Sequence, residues 1–353
     1  MTDESHILSN TAHRLFAEHF TAKALHRADA GEWLADAWDA VEELGLPQAL
    51  VPEEVGGFGV DPLEALNIVR IAGSYAAPVP LAETMLAAKL LAEAGFEALA
   101  GPLSVAPIYP DDRLELARLG SAWRLAGTAR RVPWARVAKR LAVLVAHDGT
   151  TYVVSLRPDQ WMIEQEANLA GEPRDTLRIE AVLDSTQLAP APAGFDGQKL
   201  RTVGAALRCL ALAGAIEHVL GLTVRYAGER IQFGRPIGKF QAIQQSLAVL
   251  AGQSAAAWAA ADGAAEAVVD GVRLLPIAAA KVRCGEAAGL AASIAHQVHG
   301  AIGFAQEHTL HHFTRRLWAW REEFGNEAVW SRVIGREVAA QGADCLWPLV
   351  TAA

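Results

Sequence analysis

Apolar side chains recur every three or four positions through residues 9–95, for example along the stretches from Asp36 to Leu44 and from Leu81 to Leu91. That spacing predicts helices that each bury one face. Pro47, Pro52, Gly56, Gly57 and Gly59 interrupt the pattern with a breaker-rich turn. Beyond Pro102 the texture changes to short β-branched or alternating runs at 122–127, 141–145, 151–155 and 177–183. In the last of these Leu177, Ile179, Ala181 and Leu183 alternate with Arg178 and Glu180, which predicts a strand with one buried face. Residues 185–197, carrying Pro190, Pro192, Gly194 and Gly197, read as a linker. Helical spacing then returns in four stretches, marked by Leu207, Leu210, Ile216 and Leu220; Phe240, Ile243, Leu247 and Leu250; Leu290, Ile294 and Val298; and Val329, Val333 and Val338. Four such helices pack as a bundle.

The expected fold is mainly α with a central β domain. Residues 1–100 form an N-terminal helical domain, 101–190 a small β-barrel or sandwich, and 198–353 a C-terminal four-helix bundle.

Composition narrows the function classes. At 353 residues and 52% hydrophobic content the chain can bury several cores without disulfides. A net charge of −9 argues against a nucleic-acid partner. Cys209, Cys284 and Cys345 lack metal or redox spacing, which suits a reducing compartment. No uncharged run reaches the length of a membrane span, and the acidic N-terminus is not followed by an apolar signal core. A cytoplasmic protein with no membrane partner is the expectation.

Two segments carry the chemistry. The first runs from Tyr226 through Arg230, Gln232, Phe233, Gly234, Pro236, Gly238 and Phe240 to Gln241 and Gln244. Its proline and glycines hold the backbone out of helix around an arginine, whose planar fork suits a pyrophosphate. The second is Gln297-Val-His299-Gly300-Ala301-Ile-Gly303-Phe304, whose glycines allow close backbone approach to a ligand. Each segment alone is ordinary: an exposed arginine in a helix connection, and a glycine-interrupted helix end. Together, at this separation, they resemble the C-terminal signature of the acyl-CoA dehydrogenase family. The stretch from Pro52 to Gly59 is similar to that family's Pro-Glu-x-x-Gly-Gly-x-Gly segment. The resemblance covers nearly the whole chain, strongly at the C-terminal end and weakly in the middle.

The resemblance implies that Arg230, Gln232, Phe233, Gln241, Gln297, Gly300 and Ala301 contact the pyrophosphate and adenosine end of a neighbouring subunit's FAD. Ala301 stands where the family usually has a second glycine, so the contact is expected to be looser. The implied substrate is an acyl-CoA, the implied acceptor an electron-transfer flavoprotein, and the implied assembly a tetramer with itself or with a second dehydrogenase-like subunit. His308, His311 and His312 have helical spacing that two metal ligands could use, but no acidic or thiol group completes a set, and no metal is expected.

The family's chemistry also needs a carboxylate for the substrate α-proton and donors for the flavin ring. The resemblance places Phe324 at the usual base position, and a phenyl ring carries no proton. The alternative base position, within 202–214, holds no carboxylate. Glu323 is the minority candidate, if the turn is shifted by one residue. Pro133 stands at the hydroxyl position of the flavin-contacting strand and offers neither a hydroxyl nor an N–H. This pattern resembles the subunits of bacterial heterotetrameric acyl-CoA dehydrogenases of steroid side-chain degradation. The expected role is a subunit that holds one end of a partner's FAD and lacks its own base. The rival readings are a self-sufficient homo-oligomeric dehydrogenase, or a related flavin oxidase or monooxygenase, using Glu323, and a non-catalytic scaffold.

Overall fold

A computed structural model describes residues 3–342, 344 and 346–351, so Cys345 lies outside the described residues. The chain divides into two compact units, one running up to Val69 and taking Pro78–Gly204, the other taking Arg70–Ala77 and everything from Ala205.

Helices α1 (Asp3–His19), α2 (Ala22–Asp29), α3 (Ala35–Glu43), α4 (Pro62–Ser74) and α5 (Leu81–Glu93) follow the periodic stretches. Trp38 and Val41 are the buried face of α3, while α5 is buried nearly all round. A helix apolar on every side is a core helix. Its Thr84 exchanges hydrogen bonds with the backbone of Leu103 (3.0 and 3.2 Å), which joins α5 to the first strand.

The β segment forms two four-stranded sheets and no closed barrel. One sheet has the order β1 (Leu103–Ala106), β4 (Arg140–His147), β5 (Thr150–Leu156), β8 (Leu188–Pro190). The other has the order β2 (Arg113–Leu119), β3 (Ala122–Pro133), β7 (Arg174–Leu183), β6 (Trp161–Glu164). In β7 the expected alternation holds: Leu177, Ile179, Ala181 and Leu183 are buried, and Arg178, Glu180 and Val182 are exposed. A shared core joins Leu125, Val143, Val154 and Leu177 with Trp161. The stretch read as a linker instead contains β8, whose Val154↔Leu188 and Tyr152↔Pro190 pairings extend β5. Pro190 masks the strand in the sequence yet is tolerated there, because β8 is an edge strand.

The second unit contains α6 (Gly197–Glu229) from Ala205 onward, then α7 (Gln241–Val269), α8 (Leu274–His299), α9 (Leu310–Glu322), α10 (Glu327–Gln341) and α11 (Leu346–Thr351). The strands β9 (Ile231–Gln232) and β10 (Arg235–Pro236) lie between α6 and α7. Length and hydropathy alone would let α6 cross a membrane, but its most apolar window is 83% buried inside the protein.

Two features depart from the periodic reading. Helix α9 is additional to the four expected stretches; it buries Leu310, Phe313, Leu317 and Trp320 among charged and histidine neighbours that hid its period. In α10 the buried residue is Trp330, while Val329 is exposed and Val333 and Val338 are half-buried, so the valine stripe is not that helix's core face within this chain.

Residues 70–77 press against α6. Arg70 pairs with Asp262 and lies 4.2 Å from the Trp258 ring. A Cβ on Gly214 would sit 2.0 Å from the Arg70 carbonyl oxygen. Both partners there are backbone, so neither can yield cheaply. Gly214→Ala is therefore expected to destabilise the protein by about 2–3 kcal/mol, the cost of overpacking, read as a lower urea midpoint with unchanged slope.

His218 of α6 stacks on Phe313 at 4.1 Å, and burial, with a smaller contribution from Arg225, lowers its pKa from 6.5 to about 4. The unfolded chain therefore takes up this proton near pH 6.5 and the folded chain only near pH 4. Stability contributed by the neutral ring is complete above 6.5 and falls as pH drops towards 4, by on the order of 2–3 kcal/mol. Comparing urea unfolding at pH 7 and pH 4.5 for wild type and His218→Phe checks this, the variant being expected to lose less stability on acidification.

Candidate functional site

The first motif occupies the connection from α6 to α7. The Arg230 N–H makes the last helical bond of α6, to the Tyr226 carbonyl at 2.8 Å, and the Arg230 carbonyl accepts from Ile237 N–H at 2.8 Å. Between them the chain makes a tight β9–β10 hairpin with Arg235 opposite Gln232. The two central residues both have positive φ, Phe233 at 52° and Gly234 at 78°. A primed turn needs this combination, and only the glycine adopts it without strain. Phe233 is left 92% exposed, with Arg230 and Gln232 exposed beside it. The Arg235 guanidinium lies 4.3 Å over the Phe240 ring, directly before Gln241 opens α7. Gln241 is exposed, and Gln244 donates to the Gly238 carbonyl at 3.1 Å.

The second motif ends α8. Gly300 has φ 63°, which terminates the helix, and residues 300–304 make a tight turn. Gln297, Gly300 and Ala301 are exposed. Gly303 is buried, and a Cβ there would meet His299, Leu310 and His296 at 3.1–3.2 Å. The two motifs meet through Tyr226, whose ring stacks on His299 at 4.4 Å and whose hydroxyl donates to the His299 carbonyl at 3.3 Å. His308 packs edge-on against His299, at 4.8 Å, whereas His311 and His312 pack on each other. Burial lowers the pKa of His296, His299 and His308, so these rings are neutral at pH 7.

At the expected base position the structure has a different character. Phe324 is only 4% exposed and has φ 54°, and its carbonyl accepts from the Trp330 indole at 3.0 Å. The Glu323 carboxylate accepts from Arg208 Nε at 2.7 Å, both side chains being 5% exposed. The fully buried Lys281 donates to the carbonyls of Arg321 at 2.6 Å and Gly325 at 2.8 Å. Desolvation pulls its pKa down, opposed by the nearby Cys209 and Glu327. Sequence reasoning did not find Arg208 or Lys281. Their only signal is a charge on an otherwise apolar helical face.

In the other unit, Pro133 is buried and its carbonyl accepts from the Ser104 hydroxyl at 2.5 Å. A bulge precedes it, at Ala129–Val132, and Arg131 within that bulge lies 3.6 Å over Tyr109. A cavity of about 550 Å³ opens beside the bulge, lined by charged groups that include Arg130, Arg131, Glu164, Glu166 and Arg178. The residues of the α6–α7 and α8–α9 connections fit the polar end of FAD, since guanidinium, amide and glycine backbone groups are presented together and exposed.

Family models described as the acyl-CoA dehydrogenase N-terminal domain and C-terminal domain match residues 2–100 and 199–339. The chain belongs to the acyl-CoA dehydrogenase family, flavoprotein oxidoreductases that act on acyl-CoA with FAD as cofactor. It is 29% identical over 325 residues to acyl-CoA dehydrogenase IpdE2 of Mycolicibacterium smegmatis, covering 90% of this chain and 93% of that one. In fold it is similar to the ChsE4-ChsE5 complex from Mycobacterium tuberculosis, with a TM-score of 0.88 at 24% identity, covering 97% of this chain and 99% of that one. A variant of the Tcur3481-Tcur3483 steroid ACAD gives a TM-score of 0.86 at 24% identity, over 96% and 98% of the two chains.

The buried pair makes a structural role for Glu323 testable. Removing one member leaves an uncompensated charge, whereas replacing both with apolar groups of similar size does not. Glu323→Leu alone should cost about 3–5 kcal/mol in chemical denaturation, and adding Arg208→Met should recover most of that loss.

Proposed function

We propose that this chain is the cofactor-tail subunit of an FAD-dependent acyl-CoA dehydrogenase. It would hold the pyrophosphate and adenosine end of an FAD whose ring pocket belongs to a partner subunit of the same family, in an α2β2 assembly. The partner would also supply the carboxylate that takes the substrate α-proton. FAD, when bound, provides the acceptor for the β-hydride. This chain's contribution is binding and orientation: Arg230 to the pyrophosphate, Gln232, Phe233, Gln241 and Gln297 around it, and the Gly300–Ala301 backbone against the nucleotide.

The observation that carries this reading is the contrast within one unit. The tail-binding groups are exposed and ready for a ligand, while the base position is a packed phenyl ring beside a carboxylate already paired with Arg208. A self-sufficient enzyme using Glu323 would have to strip that ion pair. Exposed Ile231, Phe233, Ile302 and Phe304 around the motifs also support burial against another subunit. The ChsE4-ChsE5 complex supports an unlike partner, and the Tcur3481-Tcur3483 steroid ACAD supports a bulky acyl group. An electron-transfer flavoprotein would reoxidise the assembly, and the low cysteine use favours the cytoplasm.

Purified alone, the chain should be colourless; co-expressed with its partner subunit it should retain FAD. Stoichiometric flavin on the isolated chain, bleached by an acyl-CoA, would overturn the reading. In the assembled complex Arg230→Ala should weaken FAD retention about ten- to a hundredfold, the worth of a charge-assisted bond to phosphate. A scaffold role predicts no change.

A further inference from the structure

Tyr226, on the last turn of α6 from which the Arg230 loop leaves, has its side chain on the end of α8. Its carbonyl accepts the Arg230 N–H, and its hydroxyl donates to the carbonyl of His299, the residue before Gly300. Its ring stacks on His299 at 4.4 Å and an interplanar angle of 21°. The next residue, Ala227, faces the far arm of the same loop, since a Cβ on Gly238 would lie 3.1 Å from the Ala227 carbonyl oxygen. His299 is itself fixed, through Nδ1 to the Ala295 carbonyl at 2.8 Å and by the edge of His308. Nδ1 therefore carries the proton, because a carbonyl can only accept.

We propose that Tyr226 and His299 are positioning residues that set the distance between the Arg230 loop and the Gly300–Phe304 turn. Neither needs to touch the cofactor. A pyrophosphate held by a guanidinium on one loop and a nucleotide held by the glycine backbone of another constrain the gap between the loops. Binding to two loops that wander independently costs the ordering of both, so a link already present in the free chain raises affinity without adding a ligand contact. The hydroxyl bond at 3.3 Å is long, so the stacked rings carry most of the link. The relevance to FAD rests on the tail-subunit reading above; the link itself does not.

Hydrogen exchange on the isolated chain tests the link without any cofactor. Tyr226→Leu, which loses ring and hydroxyl, should raise exchange about tenfold or more at residues 300–304 and 231–239, with the interior of α8 unchanged. Tyr226→Phe, which keeps the stack, should raise it only about two- to threefold and fold normally. Unaltered exchange in Tyr226→Leu overturns the proposal, as does a rise spread evenly over the bundle, which would make Tyr226 a general packing residue. If Tyr226→Leu fails to fold, Tyr226→Phe decides: its local rise supports the link and its absence overturns it. FAD retention in the assembled complex should fall in the order wild type, Tyr226→Phe, Tyr226→Leu. Arg230→Ala runs beside them as the control: no effect there removes the tail-subunit reading, whereas an effect there but none in either Tyr226 variant removes only the positioning role.

Discussion

A lysine amine with no access to water must find its hydrogen bonds inside the protein, and Lys281 donates two, to the carbonyls of Arg321 and Gly325. Those carbonyls belong to the end of α9 and to the glycine after Phe324, so these two hydrogen bonds hold the chain where one helix stops and the next is set up. Arg208 of α6 reaches the same turn through Glu323, and both side chains are nearly dry. Desolvated ions tolerate few geometries. The turn is therefore over-determined, and it holds Phe324 at φ 54°, a backbone angle a bulky residue avoids by itself. This is a constructed joint.

The two motif segments have the opposite character. The hairpin of 231–236 and the turn of 300–304 leave their polar groups exposed, which a monomer gains nothing by arranging next to exposed Phe233 and Phe304. Rigidity is supplied beneath that surface by rings: Tyr226 on His299, and His296 on Phe304 and Trp318. Burial keeps these imidazoles uncharged, so they pack as aromatics and add no like charge beneath the surface.

What the sequence disclosed was what is local in the chain. Helical period exposed α3, α5 and α8, alternation exposed β7, and the arginine and glycine spacings exposed both tail segments. It failed where neighbours alter the meaning of a residue. Pro190 hid β8 because a proline is acceptable only on an edge that the sequence cannot see. Histidines and arginines hid α9, since their burial depends on partners from other helices. Glu323 was legible as a carboxylate but not as a spent one, because Arg208 lies 115 positions away. Lys281 gave no warning of its function for the same reason, with 40 and 44 positions separating it from its two acceptors.

The alanine in the second motif brings these arguments together. Of the two positions where the family usually has glycine, only Gly300 has the positive φ that side chains disfavour, and an added Cβ there would meet nothing. Its requirement is conformational. Ala301 lies in the following tight turn without a positive φ, so the backbone loses nothing by carrying a methyl there. The departure from the family pattern thus leaves intact the helix stop that presents the backbone. It adds a single methyl to the exposed face, where, on the proposed reading, a neighbour's nucleotide would accommodate it. That contrasts with Phe324 and Pro133, where the altered residues face inward and are locked by their own neighbours.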